Sequence, residues 1–166
     1  MARTPYAHQL CACGNCAHVA TYPELPSLTP VPDTSANWTV DCHWRSQLVK
    51  GRAVLIERGF ATDGASIPSW AWRVIGHPWS KDLLPHALAH DALYAGELLT
   101  REECDQWFLD SMALAGVSWV KRYAIYEAVR LGGGNVWRKH TAEGIAAARR
   151  DAQLVIIGQA ESAALP

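Results

Sequence analysis

The sequence has no long apolar run. No segment of its 166 residues approaches the ~18 to 20 consecutive apolar side chains that a membrane-spanning helix requires, which argues against a transmembrane protein. Residues 1–10 contain one arginine but no apolar stretch ahead of a small-residue cleavage site, so a secretory signal is not expected. These absences predict a protein that has no membrane span and is made in the cytoplasm.

The chain also has little net charge. Its 15 lysine and arginine residues nearly balance 16 aspartate and glutamate residues, for a formal net charge of −1. Sequence-independent attraction to a nucleic acid requires a basic excess on the protein. The basic residues Arg138, Lys139, Arg149 and Arg150 are too sparse to provide one, so no nucleic-acid partner is expected.

The composition is that of a globular protein. Hydrophobic residues make up 49% of the chain and charged residues 19%, which excludes wholesale disorder, and the length suits one domain. The unusual feature is eight tryptophans, including Trp70, Trp72 and Trp79. Each brings a large apolar surface and an N–H that needs a partner when buried, so they predict a broad core or an interface.

Three segments differ in composition. Residues 1–35 hold three cysteines and several prolines, and predict an extended arm, because proline at this density prevents helix and interrupts strand pairing. Residues 36–138 predict the core domain, and residues 139–166 a C-terminal helix and tail. We therefore expect an α+β fold, with a small antiparallel β-hairpin or sheet packed against three to four helices.

Hydrophobic periodicity places the elements. Partial alternation predicts strands over residues 37–44 and 53–60, with a turn at Lys50 and Gly51. Helical spacing and capping signals predict four helices, over residues 82–94, 100–115, 119–131 and 141–157. Thr100 and Glu103 form a capping-box pattern at the second helix, Gly116 stops it, and Gly132, Gly133 and Gly134 are expected to end the third.

Chemically versatile side chains gather in three places. A loop after the second strand places Asp63 and Ser66 three residues apart, and Gly64 between them is free to take a positive φ. The first helix carries His86 and His90 on one face, with Asp91 about 100° around from His90. The next helix adds Asp105, directly after the core-facing Cys104, which is expected to be a small core residue.

The order of these motifs is similar to that of a known family. The loop reads Phe60-Ala61-Thr62-Asp63-Gly64-Ala65-Ser66-Ile67-Pro68, and is followed by His90-Asp91-x-Leu93-Tyr94, Glu103-x-Asp105-x-x-Phe108 and a helix ending in Arg130-Leu131-Gly132-Gly133. Together they resemble the DUF1353 family of phage and prophage proteins over about residues 38–137. The resemblance implies a phage origin and a small α+β fold, and brings no established activity with it.

The polar residues of the core segment allow two interpretations. His90, Asp91, Asp63 and Asp105 suit a divalent metal ion, with His86 as a further ligand or general base and Ser66 or Tyr94 as a hydrogen-bond donor beside the ligands. The alternative is a buried polar network that joins the loop to the helices. A Ser66, His90, Asp91 triad is disfavoured, because neighbouring residues on a helix point about 100° apart.

A second metal site is suggested by the N-terminal cysteine cluster, which comprises Cys11, Cys13, Cys16 and His18. Its spacing suits zinc or an iron–sulfur cluster, with His18 or Cys42 as the fourth ligand. The alternative is free or disulfide-bonded cysteine in an arm. The odd total of five cysteines argues against complete internal pairing.

Two functions remain in competition. The first is a virion-associated protein, such as a tail-tip or baseplate component, held among other phage structural proteins by its arm and its Trp-rich surface. It would be made in the host cytoplasm and then join the virion. The alternative is a metal-dependent hydrolase of an amide bond in the host cell envelope, which would use the Asp63, His90 and Asp91 pocket.

Overall fold

The computed structural model of the chain describes residues 19–32, 38–62 and 80–157. These residues form two small sheets and four helices, which confirms the α+β class. The helices are α1 (Leu84–Ala95), α2 (Arg101–Leu114), α3 (Trp119–Trp137) and α4 (Ala142–Asp151). The strands are β1 (Ala20–Thr21), β2 (Leu28–Pro30), β3 (Trp38–Val40), β4 (Trp44–Arg45), β5 (Arg52–Ile56), β6 (Ala61–Thr62) and β7 (Ala152–Ile156).

The sheets are mostly antiparallel. One has the order β1-β4-β5-β7, in which only the β1–β4 pair is parallel, and the other has the order β2-β3-β6. The predicted strand over 37–44 is therefore divided, because β3 pairs in one sheet and β4 in the other. The predicted turn is confirmed: Lys50 and Gly51 have φ of 51° and 75°, the left-handed conformation of a tight hairpin.

The C-terminal segment contributes a strand that the sequence did not predict. The helix expected over 141–157 ends at Asp151, and Ala152–Ile156 pairs antiparallel with Arg52–Ile56 over five residues. The prediction of helix was wrong here because Leu154, Val155 and Ile156 suit a sheet, and β5 provides a partner for them. β7 thereby completes the larger sheet.

Helix α3 is longer than predicted. Gly132, Gly133 and Gly134 were expected to stop it, but the helix continues to Trp137. The glycine run lies within a packed helix, and the buried Gly133 leaves room for the ring of Tyr94 from α1. Packing thus outweighs the cost of about 1 kcal/mol per helical glycine.

Helix α1 lies at the centre of the fold. It packs on α2, α4, β5, β6 and β7, and nine of its twelve residues are buried. One hydrophobic cluster joins it to the larger sheet through Trp44, Ile56, Leu88, Leu93 and Trp107, and another joins it to α2 and α3 through Leu83, Phe108, Met112 and Ile125. The histidines of α1 are therefore placed inside the core. No helix in the described ranges is long and apolar enough to cross a membrane.

Candidate functional site

Both predicted histidines of α1 are buried. His86 is 2% and His90 4% exposed, whereas Asp91 is half-buried. Their four-residue spacing places both imidazoles on one side of the helix, as the sequence predicts. A buried imidazole needs hydrogen-bond partners, so the environment of each ring determines what it can do.

His90 is paired with Asp105 of α2. Its Nε2 lies 3.0 Å from Asp105 Oδ1, and the Asp105 side chain is fully buried. A carboxylate can only accept a hydrogen bond, so the shared proton belongs to Nε2, and in the neutral form of the ring the lone pair is on Nδ1. Asp105 therefore orients the imidazole and determines its tautomer.

Two arginines face the other oxygen of this carboxylate. Arg130 Nη1 of α3 lies 3.4 Å from Asp105 Oδ2, and Arg101 Nη1 lies 3.7 Å from it. A buried carboxylate requires such compensation, because the loss of its hydration costs several kcal/mol. The four side chains form a polar centre, the His90–Asp105 centre, that joins α1, α2 and α3.

Aromatic rings enclose the imidazole. The His90 ring stacks on Phe108 with centroids 4.9 Å apart, and the ring of Tyr94 lies 4.8 Å away on α1. Burial raises the pKa of the Tyr94 phenol, and the charge of Asp105 adds to this effect while Arg101 opposes it. Tyr94 therefore remains a neutral phenol next to the imidazole.

Asp91 has a different role from the one that a triad would give it. Its carboxylate accepts a hydrogen bond from the Thr62 hydroxyl, at the end of β6. Thr62 directly precedes the predicted Asp63 and Ser66 loop, so the chain entering that loop contacts α1. Asp63 and Ser66 themselves lie outside the described residues, and their part in the site stays a prediction.

The sequence predicts two metal sites, one in the core pocket and one in the N-terminal arm. Within the described ranges, no group of three or more His, Cys, Asp or Glu side chains is placed to hold a metal ion. The core-pocket set depends on Asp63, and the N-terminal cysteine cluster of Cys11, Cys13, Cys16 and His18 falls entirely outside the described residues. Both metal sites stay predictions.

Cys104 is a core residue, as the sequence predicts. Its side chain is fully buried, and burial together with the charge of Asp105 raises the pKa of the thiol to about 12. A thiol that is protonated at neutral pH is not a nucleophile. We therefore leave Cys104 out of the candidate site.

The arginines of the site were missed by sequence reasoning. Arg101 could have been found, because it lies four residues before Asp105 on a helix, the spacing of an ion pair. Arg130 lies 25 residues from Asp105 and approaches it only because α3 packs on α2. No local pattern indicates that contact.

The comparisons with known proteins give one result. The family model described as DUF1353, Protein of unknown function, matches residues 38–129, more than half of the chain. The match includes His86, His90, Asp91 and Asp105, and ends one residue before Arg130. No curated protein and no solved structure matched the chain.

Proposed function

The chain belongs to the DUF1353 family, and from its site we propose that it is a hydrolase in which the His90 imidazole activates the attacking water. The observation that carries this proposal is the 3.0 Å contact between His90 Nε2 and Asp105. A carboxylate that holds one imidazole nitrogen leaves the other as a base or a metal ligand.

The surroundings of His90 suit this role. Asp105 holds Nε2 and stabilises the imidazolium that forms during proton transfer, while Arg101 and Arg130, which also contact the exposed Glu102, hold the Asp105 carboxylate in place. Phe108 and Tyr94 hold the ring in place, which reduces the entropy lost on reaching the reactive geometry.

Two versions of the chemistry use the same imidazole. In the first, Nδ1 takes a proton from water as the water oxygen attacks the amide carbon, and the imidazolium returns that proton to the amine that leaves when the C–N bond breaks. In the second, Nδ1 would hold a divalent metal ion together with Asp63 and Asp91, and the ion would supply Lewis-acid activation of water. We propose an amide bond of the bacterial cell envelope as the substrate, in keeping with the phage origin that the family resemblance implies.

The test is hydrolysis of purified peptidoglycan by the full chain. Soluble fragments and new amino groups are measured with added Zn²⁺, with a chelator, and with neither. We expect release by the wild-type protein, a loss of about a hundredfold or more in folded His90→Gln, and little change in the control Asp110→Asn. A chelator should abolish release only in the metal-assisted version.

Two results would contradict the proposal. One is absence of release by the wild-type protein under all three conditions. The other is a His90→Gln protein that is folded, by circular dichroism and urea unfolding, and as active as the wild type.

We propose as a second candidate that the chain is a component of a phage particle. The exposed side of α3 favours it: Trp119 is 67% and Val120 61% exposed, and Tyr123 packs edge-on against Trp119 with centroids 6.5 Å apart. Leu114, the last residue of α2, is exposed as well. Apolar patches on monomeric proteins are usually small, and larger ones mark interfaces.

This candidate is tested on particles induced from a strain that carries the gene. Mass spectrometry of the purified particles should detect the chain. The double variant Trp119→Ser, Tyr123→Ser should be lost from them, whereas the control Leu131→Ser, also exposed on α3, should be retained. Particles that lack the wild-type chain would eliminate the assembly role.

A further inference from the structure

A cavity of about 460 Å³ lies on the side of α1 that carries His86. Its walls come from the segment after β1, from residues 81–86 at the start of α1, and from the turn between α2 and α3. The volume is within the range of sites that hold small molecules. The cavity lining includes neither His90 nor Asp105.

His86 is a buried polar group on the wall of this cavity. Its side chain makes no hydrogen bond to any residue of the described ranges, and its nearest ring neighbour is Tyr22, with centroids 5.7 Å apart. Burial lowers the pKa of the imidazole to about 4, so the ring is neutral at pH 7 and has one N–H to donate. Among the described residues no side chain or backbone group is bonded to this ring, and a ligand in the cavity would supply a partner for it.

The cavity also favours negative charge. Lys81 and Lys121 line it, opposed by the single carboxylate of Asp82. Ser118, the N-cap of the 19-residue helix α3, lines it too, but its side chain makes no capping hydrogen bond, and the first turn of α3 has no acidic residue. The first amides of a helix have no partner within the helix and attract oxyanions.

We propose that this cavity binds the oxyanion group, phosphate or carboxylate, of a small molecule. Lys81, Lys121 and the start of α3 receive the anion, and His86 donates a hydrogen bond to the ligand. The walls formed by Tyr22, Pro23 and Leu25 accept a ring or apolar portion of the ligand. This site is separate from the proposed hydrolase centre and does not depend on its activity.

The experiment measures binding directly. Inorganic phosphate, phenyl phosphate and benzoate are titrated into the full chain, with calorimetry for affinity and histidine NMR for the His86 ring. We expect saturable binding of phenyl phosphate or benzoate at one site, tighter than that of phosphate, with a shift of the His86 resonances that is larger than that of His90.

The charges provide the diagnostic variants. Lys121→Gln and Lys81→Gln should each weaken binding about tenfold, because a charge-assisted hydrogen bond is lost. Asp82→Asn should tighten it severalfold, since a like charge is removed, and the exposed control Lys139→Gln should leave it unchanged. A role in folding alone does not predict the tightening by Asp82→Asn.

Three outcomes would overturn the proposal. The first is no saturable binding of any of the three probes. The second is binding that Lys121→Gln and Lys139→Gln weaken equally, which would indicate general attraction to surface lysines. The third is saturation that leaves the His86 resonances unmoved. A failure of peptidoglycan hydrolysis has no bearing on these measurements.

Discussion

Gly133 of α3 lies so close to Tyr94 of α1 that a Cβ atom at position 133 would be 2.3 Å from the Tyr94 hydroxyl oxygen. The contact explains why a glycine occupies position 133 within a helix. α3 can approach α1 closely only where it has no side chain, and the approach places the phenol beside the His90–Asp105 centre.

Replacement of this glycine tests the contact. Gly133→Ala should lower the free energy of unfolding by about 1 to 3 kcal/mol, because the added methyl overlaps a buried phenol. Gly134→Ala is the matched control: its Cβ would meet nothing closer than Arg138 Nη1 at 3.8 Å, so it should stabilise the helix by up to about 1 kcal/mol. Urea unfolding measures both, and equal effects of the two variants would contradict the close contact.

Local signals were read correctly from the sequence. Thr100 and Glu103 form the predicted capping box, with each side chain bonded to the other residue's backbone N–H. Gly116, with φ of 78°, follows the end of α2 as predicted. Each depends on residues within one turn of the chain, so the pattern alone determines the outcome.

The features that the sequence could not predict depend on contacts between segments that are distant in the chain. The prediction of helix for residues 152–156 was wrong because these residues form a strand whose partner, β5, lies about a hundred residues earlier in the chain. In the same way, sequence reasoning placed Asp105 in a metal pocket, and did not predict that it orients His90, because that pairing requires the packing of α1 on α2. His90 was found because imidazole on an apolar helix is conspicuous by itself.

The buried carboxylate of Asp105 should matter far more to stability than a carboxylate at the surface. Asp105→Asn keeps the shape but leaves Arg101, Arg130 and His90 facing a neutral amide. We expect a loss of about 3 kcal/mol, because partners of a buried charge are left uncompensated. Urea unfolding at neutral pH measures it.

Asp110, five residues later on the same helix, provides the control. Asp110 is half-buried, accepts a hydrogen bond from Gln106 Nε2 and pairs at 2.8 Å with the exposed ammonium of Lys50, and a pair that is open to solvent contributes less than about 1 kcal/mol. Asp110→Asn should therefore be close to wild type. If both variants lose the same stability, the polar centre makes no special contribution to the fold.

His86 should make the fold sensitive to mild acid. Burial lowers the pKa of its imidazole from 6.5 to about 4, so between these values the unfolded chain binds a proton that the folded chain does not. Above pH ~6.5 this group does not reduce the free energy of unfolding. As the pH falls from there to about 4, the unfolded chain binds the proton first, and the free energy of unfolding decreases. The loss between pH 7.5 and pH 5 should be about 2 kcal/mol.

The variant His86→Gln isolates this contribution. Other groups near the cavity, Lys81, Asp82, Lys121 and Tyr22, are unchanged in it, so subtraction of its pH profile from that of the wild type leaves the effect of His86. Urea unfolding at several pH values gives both profiles. Parallel profiles would show that the imidazole titrates as freely in the folded protein as in the unfolded chain.

The last prediction concerns β7, which the sequence assigned to a C-terminal helix and tail outside the core domain. A chain that ends at Asp151 loses β7, and with it the antiparallel partner of all five residues of β5. The fully buried Ala152 is lost too, as is Leu154, which packs on the core. Since β5 would then expose an unpaired edge beside apolar side chains, we expect loss of cooperative unfolding and aggregation.

A chain that ends at Ile157 keeps the strand and should unfold in urea with the wild-type midpoint. Soluble yield and tryptophan fluorescence during unfolding distinguish the two chains. If the chain ending at Asp151 were as stable as the wild type, residues after 151 would be an appendage, and the larger sheet would be complete without them.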